Sequence, residues 1–202
     1  MSEPLADAWF RHVQLLNPHA RGLFVSGDRA AFLDAAERLI ADVVLRMEES
    51  RATYRQLGER DLSKLMKELL GPLVPSDAEA HTNGHVDLTI RHPRGLGYKY
   101  LVECKIWNGN ALHRDAMVQL LGYLTGQEGR AMCLAFFIDR QRMMRLLERL
   151  RGELATTNEP PAIGDPVDHP TIAGTFMTRH EHPSSGREID IVHMGCDLWV
   201  TS

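Results

Sequence analysis

The sequence predicts an α/β protein in which a mixed central sheet is flanked by helices. Residues 85–91 and 100–107 are rich in β-branched, aromatic and aliphatic side chains, and the loop between them contains Pro and Gly, which predicts an antiparallel hairpin. Residues 131–138 form a short uninterrupted apolar run, which is typical of a strand covered on both faces. Helical patterns follow both segments, and the order strand–helix–strand–helix implies a parallel crossover.

The N-terminal part of the chain is predicted to be helical. Residues 5–16 form an amphipathic pattern that Asn17-Pro18 ends. Asp28 supplies a helix start, and apolar residues recur at helical spacing from about residue 29 to residue 56. After a glycine, a second helix is predicted over residues 59–70.

The C-terminal part adds a second hairpin. The strand-like runs 172–180 and 187–193 flank a turn-rich segment, and residues 196–200 are predicted as an edge strand. The other predicted elements are an edge strand near Ala78–His81, helices at residues 111–125 and 140–151, and a Pro-rich loop at residues 155–170. We expect residues 1–57 to be a helical extension and residues 58–202 to be the α/β domain, together one compact unit.

The first hairpin brings acidic residues together. Side chains alternate between the faces of a strand, so Asp87 points away from the apolar face that carries Leu88. A hairpin centred on Gly95 pairs residues whose numbers sum to about 190, which places Asp87 opposite Glu103. Lys105 lies on the same face, one pleat further along.

Two opposed carboxylates at a Cβ separation of roughly 5 Å repel each other unless a positive charge lies between them. A divalent cation bound by both acids is therefore a natural occupant of this face. The alternative is an ordinary surface cross-strand pair that Lys105 neutralises.

Composition and charge exclude several classes of protein. No apolar run approaches the roughly 20 residues of a membrane span, and the N-terminus lacks a secretory pattern, so we expect a cytoplasmic protein. Cys104 and Cys133 lie in apolar strand patterns and are predicted to be buried thiols. A net charge of −4 argues against non-specific coating of nucleic acid by the overall field, but it is compatible with a local basic surface.

These residues resemble the PD-(D/E)XK nuclease superfamily, which has the restriction-endonuclease-like fold. The likeness rests on Gly84–Asp87 followed by Glu103-Cys104-Lys105, and on Gln119-Leu-Leu-Gly-Tyr123, which is similar to the Gln-x-x-x-Tyr element of some branches. The helix that begins at Glu59 resembles the first core helix of the superfamily. The resemblance covers roughly residues 58–150.

The resemblance implies hydrolysis of phosphodiester bonds with the help of Mg²⁺ or Mn²⁺. Asp87 and Glu103 would bind the metal together with the backbone carbonyl of Cys104. Lys105 would orient the attacking water or stabilise charge on the phosphate, and Glu59 would hold a second metal or a metal-bound water.

Other residue roles that the resemblance implies leave alternatives open. Gln119 and Tyr123 share a helix face and would bond the lysine, the water or a DNA phosphate, or they are ordinary surface and core residues. The sequence has Val86 where the family name has proline. The first-helix acid is best assigned to Glu59, which is equally explained as a helix-start acid, and Glu68 and Glu49 are alternatives.

Basic residues and histidines give weaker signals. Arg91, Arg94 and Lys99 surround the hairpin turn and are candidates for phosphate contacts, whereas the arginines of residues 140–151 are better explained as a solvated helix face. Three histidines of the last hairpin could converge but lack the spacing of a structural zinc site; they are His180, His182 and His193. His113, near the start of the helix after Lys105, could approach the site, but we expect it to be exposed to solvent.

The function expected from these features is a magnesium-dependent deoxyribonuclease, in a defence or mobile-element setting or as the catalytic partner of a larger assembly. The alternative is a catalytically inactive nuclease-fold protein that binds nucleic acid or another protein. A third reading is a small assembly protein that oligomerises through its N-terminal helices. RNA as the substrate, endonuclease or exonuclease action, and a homodimer or larger assembly are all left open by the sequence.

Overall fold

A computed structural model describes residues 17–71, 73, 74 and 86–201. The predicted helix at residues 5–16 and the predicted edge strand near Ala78–His81 lie outside these residues. None of the helices in the described ranges is both long enough and apolar enough to cross a membrane.

The helices before the first strand begin at side-chain caps or at a glycine. Asn17 does not simply end a helix, because its side chain accepts hydrogen bonds from the first turn of α1 (Pro18–Val25), which the sequence analysis missed. Asp28 caps α2 (Arg29–Glu49) as predicted, by accepting from the N–H of Ala31. The predicted continuation to residue 56 is interrupted after Glu49, and a separate short helix follows.

The remaining helices match their predicted positions with small shifts. The short helix is α3 (Arg51–Tyr54), and α4 (Glu59–Leu70) has the predicted bounds. The crossover helices are α5 (Asn110–Tyr123) and α6 (Met143–Leu154), so α6 begins and ends three residues later than predicted.

Six strands form one mixed sheet in the order β1-β2-β3-β6-β5-β4. The strands are β1 (Leu88–Arg91), β2 (Lys99–Ile106), β3 (Arg130–Phe137), β4 (Val167–Asp168), β5 (Phe176–Glu181) and β6 (Glu188–Asp197). The pairs β2–β3 and β3–β6 are parallel, which confirms the predicted crossover, and the other neighbours are antiparallel.

The last hairpin is present, but its surroundings differ from the prediction. Cys196 does not start an edge strand, because it continues β6, which lies inside the sheet between β3 and β5. The short strand β4 occurs in a segment that was predicted as loop. Cys196 belongs to β6 because β6 pairs with β3 along the whole length of β3.

Two hydrophobic cores cover the two faces of the sheet. Helices α2 and α4 pack on one face, where Leu88 and Ile90 are buried, and α5 and α6 pack on the other. Strand alternation in the sequence predicts Val86 on the same face as Leu88, but Val86 packs on the second core because it precedes β1 and does not follow its alternation. Because α2 shares a core with the strands, the helix is part of the same packed unit, while the domain boundary at residue 57 stays a prediction.

A buried ionic cluster joins α2 to the sheet. Glu37 is fully buried, and its Oε2 atom accepts hydrogen bonds from Arg130 at 2.9 Å and from His169 at 3.0 Å. The Nδ1 atom of His169 accepts from two backbone N–H groups, so its Nε2 atom carries the proton that is donated to Glu37. The carboxylate therefore depends on Arg130 for its only full positive charge within the described chain.

We expect Arg130→Met to lower the free energy of unfolding by about 3–5 kcal/mol, because it leaves the Glu37 carboxylate buried without a cation. The double variant Glu37→Met/Arg130→Met should recover most of this loss. Arg179→Met is the control, since Arg179 pairs with Asp190 on the surface and should cost less than about 1 kcal/mol. Urea unfolding of the four proteins measures these differences, and a double variant no more stable than Arg130→Met would contradict the account.

Candidate active site at the edge of β2

The predicted register of the first hairpin is confirmed. Leu88 pairs with Val102 and Arg91 pairs with Lys99, so paired residue numbers sum to 190. Asp87 directly precedes β1 and is therefore adjacent to Glu103 across the hairpin. The sequence determined this register because the apolar residues of both strands must face the same core.

Beyond Leu88 the backbone of β2 donates to carboxylates instead of to a strand. The N–H of Cys104 donates to Asp87 Oδ2 at 2.9 Å, and the N–H of Ile106 donates to Glu59 Oε2 at 3.1 Å. Glu59, the first residue of α4, therefore lies at the edge of β2. These bonds fix the positions of two acids without the use of another side chain.

Lys105 links two of the acids. Its Nζ atom lies 2.8 Å from Glu103 Oε1 and 3.3 Å from Glu59 Oε1. The structure therefore brings together four of the predicted site residues, namely Glu59, Asp87, Glu103 and Lys105. Of the three acids considered for the first helix, Glu59 is the one in contact, whereas Glu68 pairs with Lys64 on the surface and Glu49 is exposed.

Burial and neighbouring charges shift the pKa values of the site residues. Glu103 is only 1% exposed, and burial raises its pKa to about 7, with a hydrogen bond from Lys105 opposing the rise and the charge of Asp87 adding to it. Burial also raises the pKa of Asp87, against the hydrogen bond from Cys104. Burial acts to lower the pKa of Lys105, but its hydrogen bond to Glu103 and the surrounding negative charges together raise it.

One carboxylate oxygen of the site has no hydrogen-bond partner among the residues that the structure describes. This atom is Glu103 Oε2, which is buried, and burial without a partner is costly for a carboxylate. The N–H and C=O of a strand residue point to the same edge, so the carbonyl of Cys104 faces the same side as its N–H and hence the side of Asp87. This set of oxygens, two carboxylates and a carbonyl, fits a hard divalent cation.

The donor set is small. The described ranges contain no group of three or more His, Cys, Asp and Glu side chains that could hold a metal ion. A cation bound by Asp87, Glu103 and the Cys104 carbonyl would thus keep water or substrate oxygens in its remaining positions, which is the coordination that Mg²⁺ favours.

Gln119 and Tyr123 are not brought into contact with the acids. Gln119 is exposed, and its Nε2 atom donates to Tyr123 Oη at 2.6 Å, so the pair is bonded internally along α5. Tyr123 packs at the margin of the second core, as Val86 does. No hydrogen bond joins either side chain to Glu103 or Lys105 within the described chain.

Two of the three hairpin cations are already engaged. Lys99 forms an ion pair with the buried Glu128 at 2.8 Å, and Arg94 donates to the carbonyl of Ser26 at 2.7 Å. Their predicted phosphate contacts therefore have no support in the structure, and Arg91 is the only residue of the three without such a partner in the described ranges. The exposed arginines of α6 match the predicted solvated face, apart from Arg151, which pairs with Asp168.

A buried hydrogen-bonded chain joins His113 and Thr178 to two histidines of the last hairpin, and the sequence analysis missed this link. The prediction that His113 is exposed is wrong, because it is 3% exposed and its Nε2 atom lies 2.9 Å from His193 Nδ1. His193 Nε2 lies 2.8 Å from the Thr178 hydroxyl, which lies 2.7 Å from His180 Nε2. His182 is separate and bonds the carbonyl of Leu124. The sequence contains one indication of this chain: Thr178 and His180 are two residues apart in a strand and therefore lie on the same face.

The direction of this chain follows from its last acceptor. His180 Nδ1 lies 2.9 Å from the carbonyl of Pro161, which can only accept, so Nδ1 carries the proton and Nε2 accepts from Thr178. Thr178 must then accept from His193, which in turn accepts from His113. Each histidine is neutral in this arrangement, and burial lowers the pKa of His113 to about 4.

Comparisons with known proteins give no relatives: no family model, no curated protein and no solved structure matches the chain. The site is therefore characterised by its own geometry alone.

We expect acid to destabilise the protein through the histidine chain. The pKa of His113 lies below its ordinary value of 6.5, so between about pH 6.5 and pH 4 the unfolded chain binds more protons and the free energy of unfolding falls as the pH falls. His113→Gln keeps a donor to His193 and should reduce this slope by about 1.4 kcal/mol per pH unit. Urea unfolding at several pH values measures the slope, and equal slopes in both proteins would show that His113 is not held neutral.

Proposed function

We propose that this protein is a divalent-metal-dependent nuclease of the PD-(D/E)XK type that hydrolyses phosphodiester bonds in DNA. The observation that carries the proposal is the contact of Asp87, Glu103 and Lys105 at the edge of β2, with Glu103 Oε2 buried and unpartnered. A mixed sheet with a helix before the hairpin and a helix after it supports the more specific proposal of a restriction-endonuclease-like fold.

The residues of the chain would divide the work as follows. Asp87, Glu103 and the carbonyl of Cys104 would hold the metal, which when bound polarises the phosphate and lowers the pKa of a coordinated water. Lys105, fixed by two carboxylates, would stabilise negative charge that develops on the phosphate. Glu59 positions Lys105 and the edge of β2 through hydrogen bonds to both of its oxygens, and the remaining lone pairs of these oxygens would bind a second metal or a metal-bound water.

A second candidate is a non-catalytic protein of the same fold that binds nucleic acid or another protein. It is favoured by the internal bond between Gln119 and Tyr123, which keeps this pair away from the acids. Against it stands the unfavourable burial of Glu103 beside Asp87, since a purely structural role would be served better by neutral side chains.

We expect the protein to cleave DNA only with Mg²⁺ or Mn²⁺, and Lys105→Ala to lower the rate at least about 100-fold through loss of charge stabilisation. Supercoiled plasmid, linear duplex and single-stranded DNA are incubated with metal and with chelator, and products are followed on gels. Arg149→Ala, on the exposed face of α6, is the control and should cleave normally.

A binding measurement separates loss of chemistry from loss of metal. Mn²⁺ should raise the melting temperature of the wild-type protein and of Lys105→Ala, but not that of Asp87→Asn/Glu103→Gln, which lacks both ligand charges. Metal-independent cleavage, or cleavage unchanged in Lys105→Ala, would refute the proposed site. DNA binding without cleavage would favour the non-catalytic candidate.

A further inference from the structure

Helix α4 carries a stripe of exposed basic residues. Arg60, Lys64 and Lys67 follow one another at positions i, i+4 and i+7, which fall within about 60° of the helix circumference. Over seven residues the helix rises about 10 Å, so the three positive charges form a short row along its axis. We call this row the α4 basic stripe.

The stripe is on the helix that supplies Glu59 to the candidate active site, and its Lys67 is near Asp87. Glu59 and Lys67 are separated by two turns of the helix, and Glu59 reaches the edge of β2 through its bond to Ile106. Helix α4 packs against both strands of the hairpin. Burial raises the pKa of Asp87, and the positive charge of Lys67 is among the contributions that oppose this rise, so the two residues are electrostatic neighbours.

Among the described residues, the charges of the stripe are only weakly engaged. Lys64 pairs with Glu68 at 3.6 Å, but both side chains are well exposed, at 73% and 62%, and such surface pairs are weak. Arg60 and Lys67 form no ion pair with any other described residue.

Other basic groups near the hairpin do not offer an equivalent surface. Lys99 and Arg94 are engaged with Glu128 and Ser26. Helix α6 begins over Gly195 of β6, so the whole width of β3 separates it from β2. Arg91 is a single half-buried cation at the end of β1, whereas the α4 basic stripe offers three exposed cations in a row on a helix that packs against the hairpin.

We propose that the α4 basic stripe binds the phosphodiester backbone of the DNA substrate and directs one strand into the site, an inference that rests on the proposed nuclease function. One strand of duplex DNA presents a phosphate about every 3.4 Å along its axis, so a row of about 10 Å spans about three phosphate intervals and each of its three cations can contact a different phosphate. The acids of the site would otherwise repel the substrate, and cations beside them offset this repulsion. Contacts of this kind carry no base information.

The test compares two variants that lose the same charge at different places. Arg60→Gln/Lys64→Gln/Lys67→Gln removes the stripe, and Arg140→Gln/Arg145→Gln/Arg149→Gln removes three exposed arginines at and before α6. Both change the net charge from −4 to −4 − 3 = −7, so an effect of overall charge would be equal in the two. Circular dichroism confirms that each variant is folded, as expected for exposed substitutions.

Binding to a fluorescent DNA duplex is measured by anisotropy with chelator present, over a range of salt concentrations. The stripe variant should bind at least about tenfold more weakly, and the slope of log affinity against log salt should fall by about 2.7, because each phosphate contact contributes about 0.9. The α6 variant should keep the slope and affinity of the wild type, and a second duplex of unrelated sequence should give the same result.

Three outcomes would overturn the inference. The first is an unchanged salt slope in the stripe variant, and the second is an equal loss of affinity in both variants. The third is displacement of the labelled DNA by polyglutamate as effectively as by unlabelled DNA, which would indicate an acidic polypeptide as the partner. The test does not require cleavage. If the protein binds through the stripe but never cuts DNA, the nuclease proposal fails and the binding surface stands; if it cuts and the stripe variant binds normally, only the surface is wrong.

Discussion

Past Leu88, the edge of β2 pairs with no described strand, and its backbone N–H groups need other acceptors. A buried or half-buried N–H group without a partner is costly, so this edge requires hydrogen-bond acceptors from elsewhere in the chain. Asp87 and Glu59 supply them, one from the start of β1 and one from the first turn of α4. The requirement of the backbone thus explains why two acids meet at this point of the sheet.

The same arrangement leaves the negative charge of the site incompletely compensated. Asp87 and Glu59 are fixed by backbone donors, and the register of the hairpin then places Glu103 beside Asp87 on the face next to Cys133. Within the described ranges, Lys105 is the only side-chain cation in contact with Glu103, and it reaches only one of the two carboxylate oxygens. A group that is negatively charged, buried and half-satisfied gains much from a second cation, which is why we propose a metal there rather than a static ion pair.

The sequence was sufficient for those parts of the fold that depend on local pattern. The hairpin register followed from alternation and a turn centred on Gly95, and the bounds of α4 followed from its apolar stripe. The sequence was insufficient to predict contacts that depend on how the helices pack across the sheet. The bond between His113 and His193 requires a side chain from the first turn of α5, which packs on β2 and β3, to reach β6, and no periodicity within α5 contains that information.

The same limit applies to charge. The engagement of Lys99 by Glu128 joins residues far apart in the sequence, so a count of basic residues around the hairpin turn overestimated what is available to a ligand. Likewise a net charge of −4 says little about binding to a polyanion, because the field near a surface depends on the charges within roughly 10 Å. Three cations in one row can attract a phosphate backbone to a protein whose total charge is negative.

The position of the site on an open edge also fits a polymeric substrate. The structure has a cavity of about 680 Å³ between α2 and α6, but its lining includes Met143, Met194 and Gly195, on the far side of β3 from the acids. The cavity opens to solvent and is lined by both polar and apolar side chains, so its shape alone does not distinguish a small ligand from a polymer. The acids instead meet where α4 reaches the edge of β2, on the helix that also carries the exposed Arg60 and Lys67. The polymeric substrate that we propose would contact this exposed surface rather than a cavity that β3 separates from the acids.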